Sequence, residues 1–283
     1  GVEEFAMCIP PAPNGKVPPV TLAAAAIAGV EEIYTLGGAQ AVAAMAYGTE
    51  SIPRVDLIVG PGNIYVALAK QELSGTVAID SVAGPSEIVV VADETADPRL
   101  IAYDLIAQAE HGPNGTFVLI TWSEGLIDET QKWVDQITHM DGSDADLAET
   151  LRKGLYAVRV KDREQASQSV NEFAPEHLEL IFESASDHLS EFSKAGAVFV
   201  GQYSPVSIGD YLAGTNHILP TSGGAAWTSG LRASTFQRTA AVVFHTKESL
   251  QQAGDHIHAF ANVEGLPYHS RAVKARFEED MGS

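Results

Sequence analysis

The sequence holds a single cysteine, Cys8, which excludes an intrachain disulfide and any paired C-x-x-C metal or redox motif. No apolar run approaches the ~18 residues that a membrane-spanning helix needs. Basic residues are scarce: 17 Lys and Arg stand against 37 Asp and Glu, a formal net charge of -20. A field of that sign repels nucleic acid and anionic membrane surfaces, so neither is expected as a partner. No charged segment followed by an apolar core opens the chain, and with the lone thiol this points to a reducing cytoplasm. What is present is a globular composition, 45% hydrophobic and 19% charged. At ~150 residues per domain, 283 residues suit about two domains of a soluble protein.

Gly1-Val2-Glu3-Glu4 before an apolar run to Ile9 is echoed by Gly29-Val30-Glu31-Glu32 before Ile33 to Leu36. The spacing suits one βα repeat in which each Gly ends a helix and each apolar run is a buried strand. By that logic Gly1 caps a helix lying ahead of it, and a preceding segment is expected. From Thr21 to Asp80 the alternation of helix, strand and Gly turn reads as a parallel α/β unit, with a strand at Val55 to Val59 and a helix at Ile64 to Leu73. A break near Ala83-Gly84-Pro85-Ser86 precedes a second α/β run. Its strands are expected at Glu87 to Val91, Phe117 to Thr121, Leu155 to Val160, Leu178 to Ile181 and Ala197 to Val200. Asp97 and Pro98 supply an N-cap and first-turn proline for a helix reaching about His111. From Tyr203 to Gly230 regular patterning gives way to a loop carrying Asp210, Asn216 and His217, long enough to indicate a functional site. Helical stretches follow at Lys247 to Phe260 and Ser270 to Asp280, too small to form a core alone. The expected architecture is α/β: two incomplete Rossmann-like parallel-sheet domains, 1–84 and 85–230, and a small helical C-terminal segment, 231–283.

Gly37-Gly38-Ala39-Gln40 and Gly60-Pro61-Gly62-Asn63 both stand where a strand turns into a helix, and backbone amides there can hold an anion. Neither is a G-x-G-x-x-G fingerprint, and a tight βα turn needs Gly whether or not anything binds. Gln108 and His111, three residues apart near a helix end, can face one point, with Asp104 on the same face. Such residues suit a metal or simply a polar surface, and no H-E-x-x-H decides between them. Pro175-Glu176-His177 places a carboxylate and an imidazole at a strand entrance, as an acid-base pair or as a capping Glu beside a half-buried His. Histidine is the natural acceptor for the proton released in alcohol oxidation. His139, His188, His245, His256 and His258 lie in polar helical contexts and are expected on the solvated surface.

These pieces occur in one order: G-G-A-Q-A-V-A (37–43), G-P-G-N-I-Y-V (60–66), A-G-P-S-E (83–87), Q-A-E-H-G-P (108–113), P-E-H-L-E (175–179) and S-P-V-S-I-G-D-Y-L-A-G-T-N-H-I-L-P-T (204–221). Together they resemble the histidinol dehydrogenases along essentially the whole chain; members of that family carry a further third ahead of the position of Gly1. The resemblance implies a homodimeric enzyme that oxidises L-histidinol through histidinal to L-histidine with two NAD⁺. It implies Zn²⁺ held by Gln108, His111, Asp210 and His269, and a catalytic pair at Glu176 and His177. It places NAD contacts on Gln40 and Asn63, with a further NAD-contacting Tyr in the preceding segment. Substrate contacts fall on Ser86, His177, His217 and Glu264 together with the four metal ligands, and the C-terminal segment docks on the partner subunit to complete its site. Ser222 to Thr228 depart from the commonest family versions, which leaves open a paralogue acting on another small amino or hydroxy alcohol. A third alternative is an inactive fragment or binding module, because the preceding segment is absent from this sequence.

Overall fold

The structure is a computed structural model that describes residues 2–140 and 145–278, so the expected helix cap at Gly1 and the expected helix end at Asp280 lie outside the described residues. It forms two compact units, Gly1–Gln237 and Arg238–Ser283.

The first unit opens with β1 (Ala6–Cys8), α1 (Pro19–Ala28), β2 (Glu32–Tyr34), α2 (Gly38–Tyr47), β3 (Leu57–Ile58), α3 (Ile64–Leu73) and β4 (Ala78–Ile79). β1 and β2 pair in parallel with Met7 opposite Ile33, and β3 and β4 pair in parallel with Ile58 opposite Ile79. Gly29 ends α1 in the left-handed conformation at φ 78°, where a side chain would be strained. Val42 and Ala46 of α2 pack on Ile58, Leu73 and Val77 to form a small core. Beside it, the buried Lys70 ammonium binds the Asp80 carboxylate and donates to the Gly60 carbonyl at 3.0 Å. Asp80 also accepts the Gly60 N–H at 2.8 Å, so one ion pair holds both sides of the Gly60 turn.

The main sheet is built from β5 (Glu87–Ala92), β6 (Thr116–Thr121), β7 (Leu155–Arg159), β8 (His177–Ile181) and β9 (Ala197–Val200). Its spatial order is β7-β6-β5-β8-β9 with every pairing parallel. β5 is buried throughout, as the run Ile88-Val89-Val90-Val91 requires of a strand covered on both faces. The crossovers are α4 (Pro98–Ala109), α5 (Leu126–Met140), α6 (Ala145–Gly154) and α7 (Arg163–Phe173). Alternate residues point to opposite sides: Ile88, Val90, Phe117 and Leu119 join the core with α4 and α5, while Val89, Val91, Leu178 and Leu180 join the core with α7. Asp97 caps α4 by accepting the Arg99 N–H at 2.8 Å, and Pro98 occupies its first position.

The stretch from Tyr203 to Gly230 is not wholly irregular. It contains α8 (Val206–Tyr211), and residues 224–226 form a 3-10 turn. Six residues are too few for hydrophobic periodicity to announce a helix. The second unit consists of α9 (Lys247–Val263) and α10 (Pro267–Lys274), separated by Gly265 at φ 72°. α9 runs three residues beyond the expected Phe260, and α10 begins earlier than expected because Pro267 takes its first turn. Two histidines expected in solvent are half-buried instead. His188 Nδ1 lies 2.8 Å from Glu191 and its ring lies near Phe182, while His258 bonds the Ser270 hydroxyl.

Candidate active site

The β7-β6-β5-β8-β9 order reverses direction between β5 and β8, and in open α/β sheets ligands ordinarily bind outside the carboxyl ends of the strands at such a point. At that end the Asp93 carboxylate is already engaged by the protein's own groups. Asp93, just past β5, accepts from the backbone N–H and hydroxyl of Thr95 and from the Glu183 N–H at 3.0 Å. The polar groups gather at the opposite, amino ends of the same two strands. Glu87 opens β5, Glu176 and His177 enter β8, and His177 is paired with Ile88 across the ladder. α4 returns antiparallel to β5, so its last turn brings Gln108, and the turn after it brings His111, to that edge. α8 follows β9 and carries Asp210, whose charge acts on both Glu176 and His177.

Glu87 and Glu176 hold each other by reciprocal backbone-to-side-chain bonds. The Glu87 N–H donates to Glu176 Oε2 at 2.9 Å, and the Glu176 N–H donates to Glu87 Oε2 at 3.4 Å. The other Glu87 oxygen accepts the Ser222 N–H at 3.0 Å, tying the long loop to the strand entrance. His177 Nδ1 lies 2.9 Å from the Glu87 carbonyl. A carbonyl only accepts, so Nδ1 carries the proton and Nε2 keeps its lone pair. The Gln108 amide group and Glu176 Oε2 each lie 3.5 Å from the same Nδ1.

Burial sets the protonation of this cluster. It lowers the His177 pKa, helped by His111 and His217 and opposed by the Glu87 carbonyl and Asp210, so the imidazole is held neutral. It raises Glu176 to about 8; the charges of Glu87 and Asp210 add to the rise and the Glu87 N–H opposes it. Glu87 is also pushed up by burial, against the Ser222 and Glu176 amides. The result is a carboxyl that can lose its proton near neutrality beside an imidazole free to take one.

The remaining expected residues lie in several places. Ser86 is half-buried directly before Glu87, and His217 is exposed but close enough to act on His177. Gln40 is exposed on α2. Asn63 caps α3, its Oδ1 accepting from Tyr65 N and Val66 N at 3.1 and 3.2 Å, so only its amide NH₂ is free for a ligand. Glu264 and His269 are exposed on the second unit. Sequence reasoning passed over Glu87 while choosing its neighbour Ser86; the signal was a carboxylate opening an otherwise apolar strand.

Gln108, His111 and Asp210 offer an amide oxygen, an imidazole nitrogen and a carboxylate oxygen, and His269 would add a second imidazole. This mixed N and O set fits Zn²⁺ in chemistry. Among the described residues no three His, Cys, Asp or Glu stand close enough to hold a metal ion.

A family profile described as histidinol dehydrogenase matches residues 1–277. A histidinol dehydrogenase of Bacillus cereus is 49% identical over 281 residues, which cover 99% of this chain and 65% of that protein. One from Listeria monocytogenes is 45% identical over 280 residues, again 99% of this chain and 65% of the relative. The crystal structure of histidinol dehydrogenase from Elizabethkingia anophelis superposes with a TM-score of 0.91 at 38% identity, covering 98% of this chain and 64% of that one. The chain thus spans slightly less than two thirds of the length of the relatives it matches, and it belongs to the histidinol dehydrogenase family.

Proposed function

We propose that this chain carries the catalytic residues of an enzyme that oxidises L-histidinol through histidinal to L-histidine with two NAD⁺. The observation that supports it most is the buried Glu176–His177 pair, with His177 Nδ1 bonded to the Glu87 carbonyl and Nε2 left as the proton acceptor. In each oxidation His177 Nε2 takes the proton released as a hydride leaves the substrate carbon. Between the oxidations Glu176, once ionised, takes a proton from water adding to the aldehyde carbon. Gln108, His111, Asp210 and His269 would hold Zn²⁺, which supplies Lewis-acid orientation and polarisation of the substrate. Gln40 and the Asn63 NH₂ would contact NAD⁺, the hydride acceptor. Ser86, His217 and Glu264 would line the substrate site, and the second unit would dock on a partner subunit of a homodimer.

The test supplies L-histidinol, NAD⁺ and Zn²⁺ to the protein at its full natural length. Two NADH formed per histidinol, lost on chelation and restored by Zn²⁺, supports the reading. Turnover of another amino alcohol with none of histidinol would establish the paralogous alternative, and full activity after complete metal removal would overturn the ligand assignment.

A further inference from the structure

α8 has no cap of its own. Pro205 precedes it and offers no side-chain acceptor, so the first N–H of a six-residue helix would be left without a partner. The missing acceptor comes from a distant strand: Glu179 Oε1, on β8, accepts the Val206 N–H at 2.9 Å. Glu179 is only 1% exposed, and its second oxygen, Oε2, is fully buried with no donor directed at it. The neighbour that acts on this carboxyl is another carboxyl, that of the half-buried Asp104 on α4. Two ionised carboxylates cannot satisfy each other, whereas one proton held between them gives the pair a donor and an acceptor.

The protonation tendencies agree with that geometry. Burial and the neighbouring Asp104 raise Glu179 well above the ordinary carboxylate range, while burial raises Asp104 to about 6. A single proton shared between the two carboxyls therefore satisfies both. The elements joined in this way are the two that carry the proposed metal ligands of this unit. Asp104 lies one turn before Gln108 on α4, with His111 in the turn that follows the helix, and Val206 begins the helix that bears Asp210.

We propose that Glu179 and Asp104 form a proton-sharing brace that sets α8 against α4, and so positions Asp210 relative to Gln108 and His111. Neither residue touches the reacting atoms; both act through the helices they join. The inference rests on the zinc reading given above, and its test separates the two.

Zinc affinity is measured by competition with a chelator on the protein at its full natural length, and the absorption spectrum of the Co²⁺-loaded protein reports ligand geometry. Glu179→Gln keeps an acceptor for Val206 and a donor for Asp104 without needing a proton. It should bind zinc within about threefold of wild type and leave the Co²⁺ spectrum unchanged. Glu179→Met fills a similar volume but removes both bonds; it should lose about 10- to 100-fold in zinc affinity, the scale set by groups that orient metal ligands, and shift the Co²⁺ bands. Asp104→Ala, at a half-buried position, should weaken zinc in the same direction and covers the case in which Glu179→Met does not fold. Wild-type zinc affinity and spectrum in Asp104→Ala or in a folded Glu179→Met overturn the brace alone, as does a Glu179→Gln protein no better than Glu179→Met. A wild-type protein that binds neither metal overturns both the brace and the zinc reading.

Discussion

Glu176 is asked to be a base, yet burial first, and then the charges of Glu87 and Asp210, hold its pKa at about 8. Only the ionised form activates water, so oxidation of histidinal should rise with pH through about 8, while a step that needs only the neutral His177 has no reason to share that limb. The check is a kcat profile with histidinal supplied directly; a flat profile from about pH 6 to 9 would remove Glu176 from the water-activating role. Glu176→Gln should likewise slow the aldehyde step more than the alcohol step, which single-turnover measurements on the two substrates compare. An equal loss on both would mean that the side chain serves the hydride steps too. The pair was visible in the sequence as P-E-H, but spacing alone favoured a capping Glu beside a half-buried His. What spacing could not supply is Glu87, 89 residues earlier, whose backbone and side chain fix both groups.

Short elements were the hardest to read. Strands and helices of the βα repeats declared themselves through β-branched runs, Gly turns and the Asp97-Pro98 cap, and α3 falls on the expected Ile64 to Leu73. α8 did not, because six residues carry no period and its N-terminal acceptor, Glu179, lies 27 residues upstream in sequence. Its placement also depends on Gly209. A Cβ there would stand 2.6 Å from the Phe199 ring carbons, and Phe199 itself packs near His177. Gly209→Ala should therefore push α8 off β9, costing about 1–3 kcal/mol of stability and weakening zinc through the displaced Asp210. Chemical denaturation and a zinc competition assay on the same protein test both halves; a stable variant with unchanged affinity would show that the helix is not held by this contact. Lys70→Met is the useful contrast. Removing one member of the buried Lys70–Asp80 pair should cost about 3–5 kcal/mol by leaving a buried charge unpaired, yet zinc affinity in the folded protein should stay the same, because the pair braces the Gly60 turn and not the helices of the metal ligands.

Charge at the scale of the molecule and chemistry at the site meet in the second unit. Its only buried hydrophobic residue among the described ones is Ala261, while Val242, Val243, Phe244, Phe260 and Val263 are exposed, so α9 and α10 alone make no core. An appendage of this kind gains stability by docking on a larger surface, and the net charge of -20 opposes any docking that is not specific. The proposed surface is the partner subunit, where His269 and Glu264 would complete a site whose Gln108, His111 and Asp210 come from the other chain. If the sites are shared in this way, Asp210→Ala and His269→Ala are each inactive alone but complement on mixing. In a mixed dimer one site collects both lesions, and the other draws an intact Asp210 from one chain and an intact His269 from its partner. With free exchange about half the dimers are mixed and each has one good site, so activity should recover to roughly a quarter of wild type when zinc is supplied. The measurement needs subunit exchange demonstrated independently, for instance by mass-tagged chains. Exchange without recovery would place His269 in the site of its own chain and end the shared-site reading.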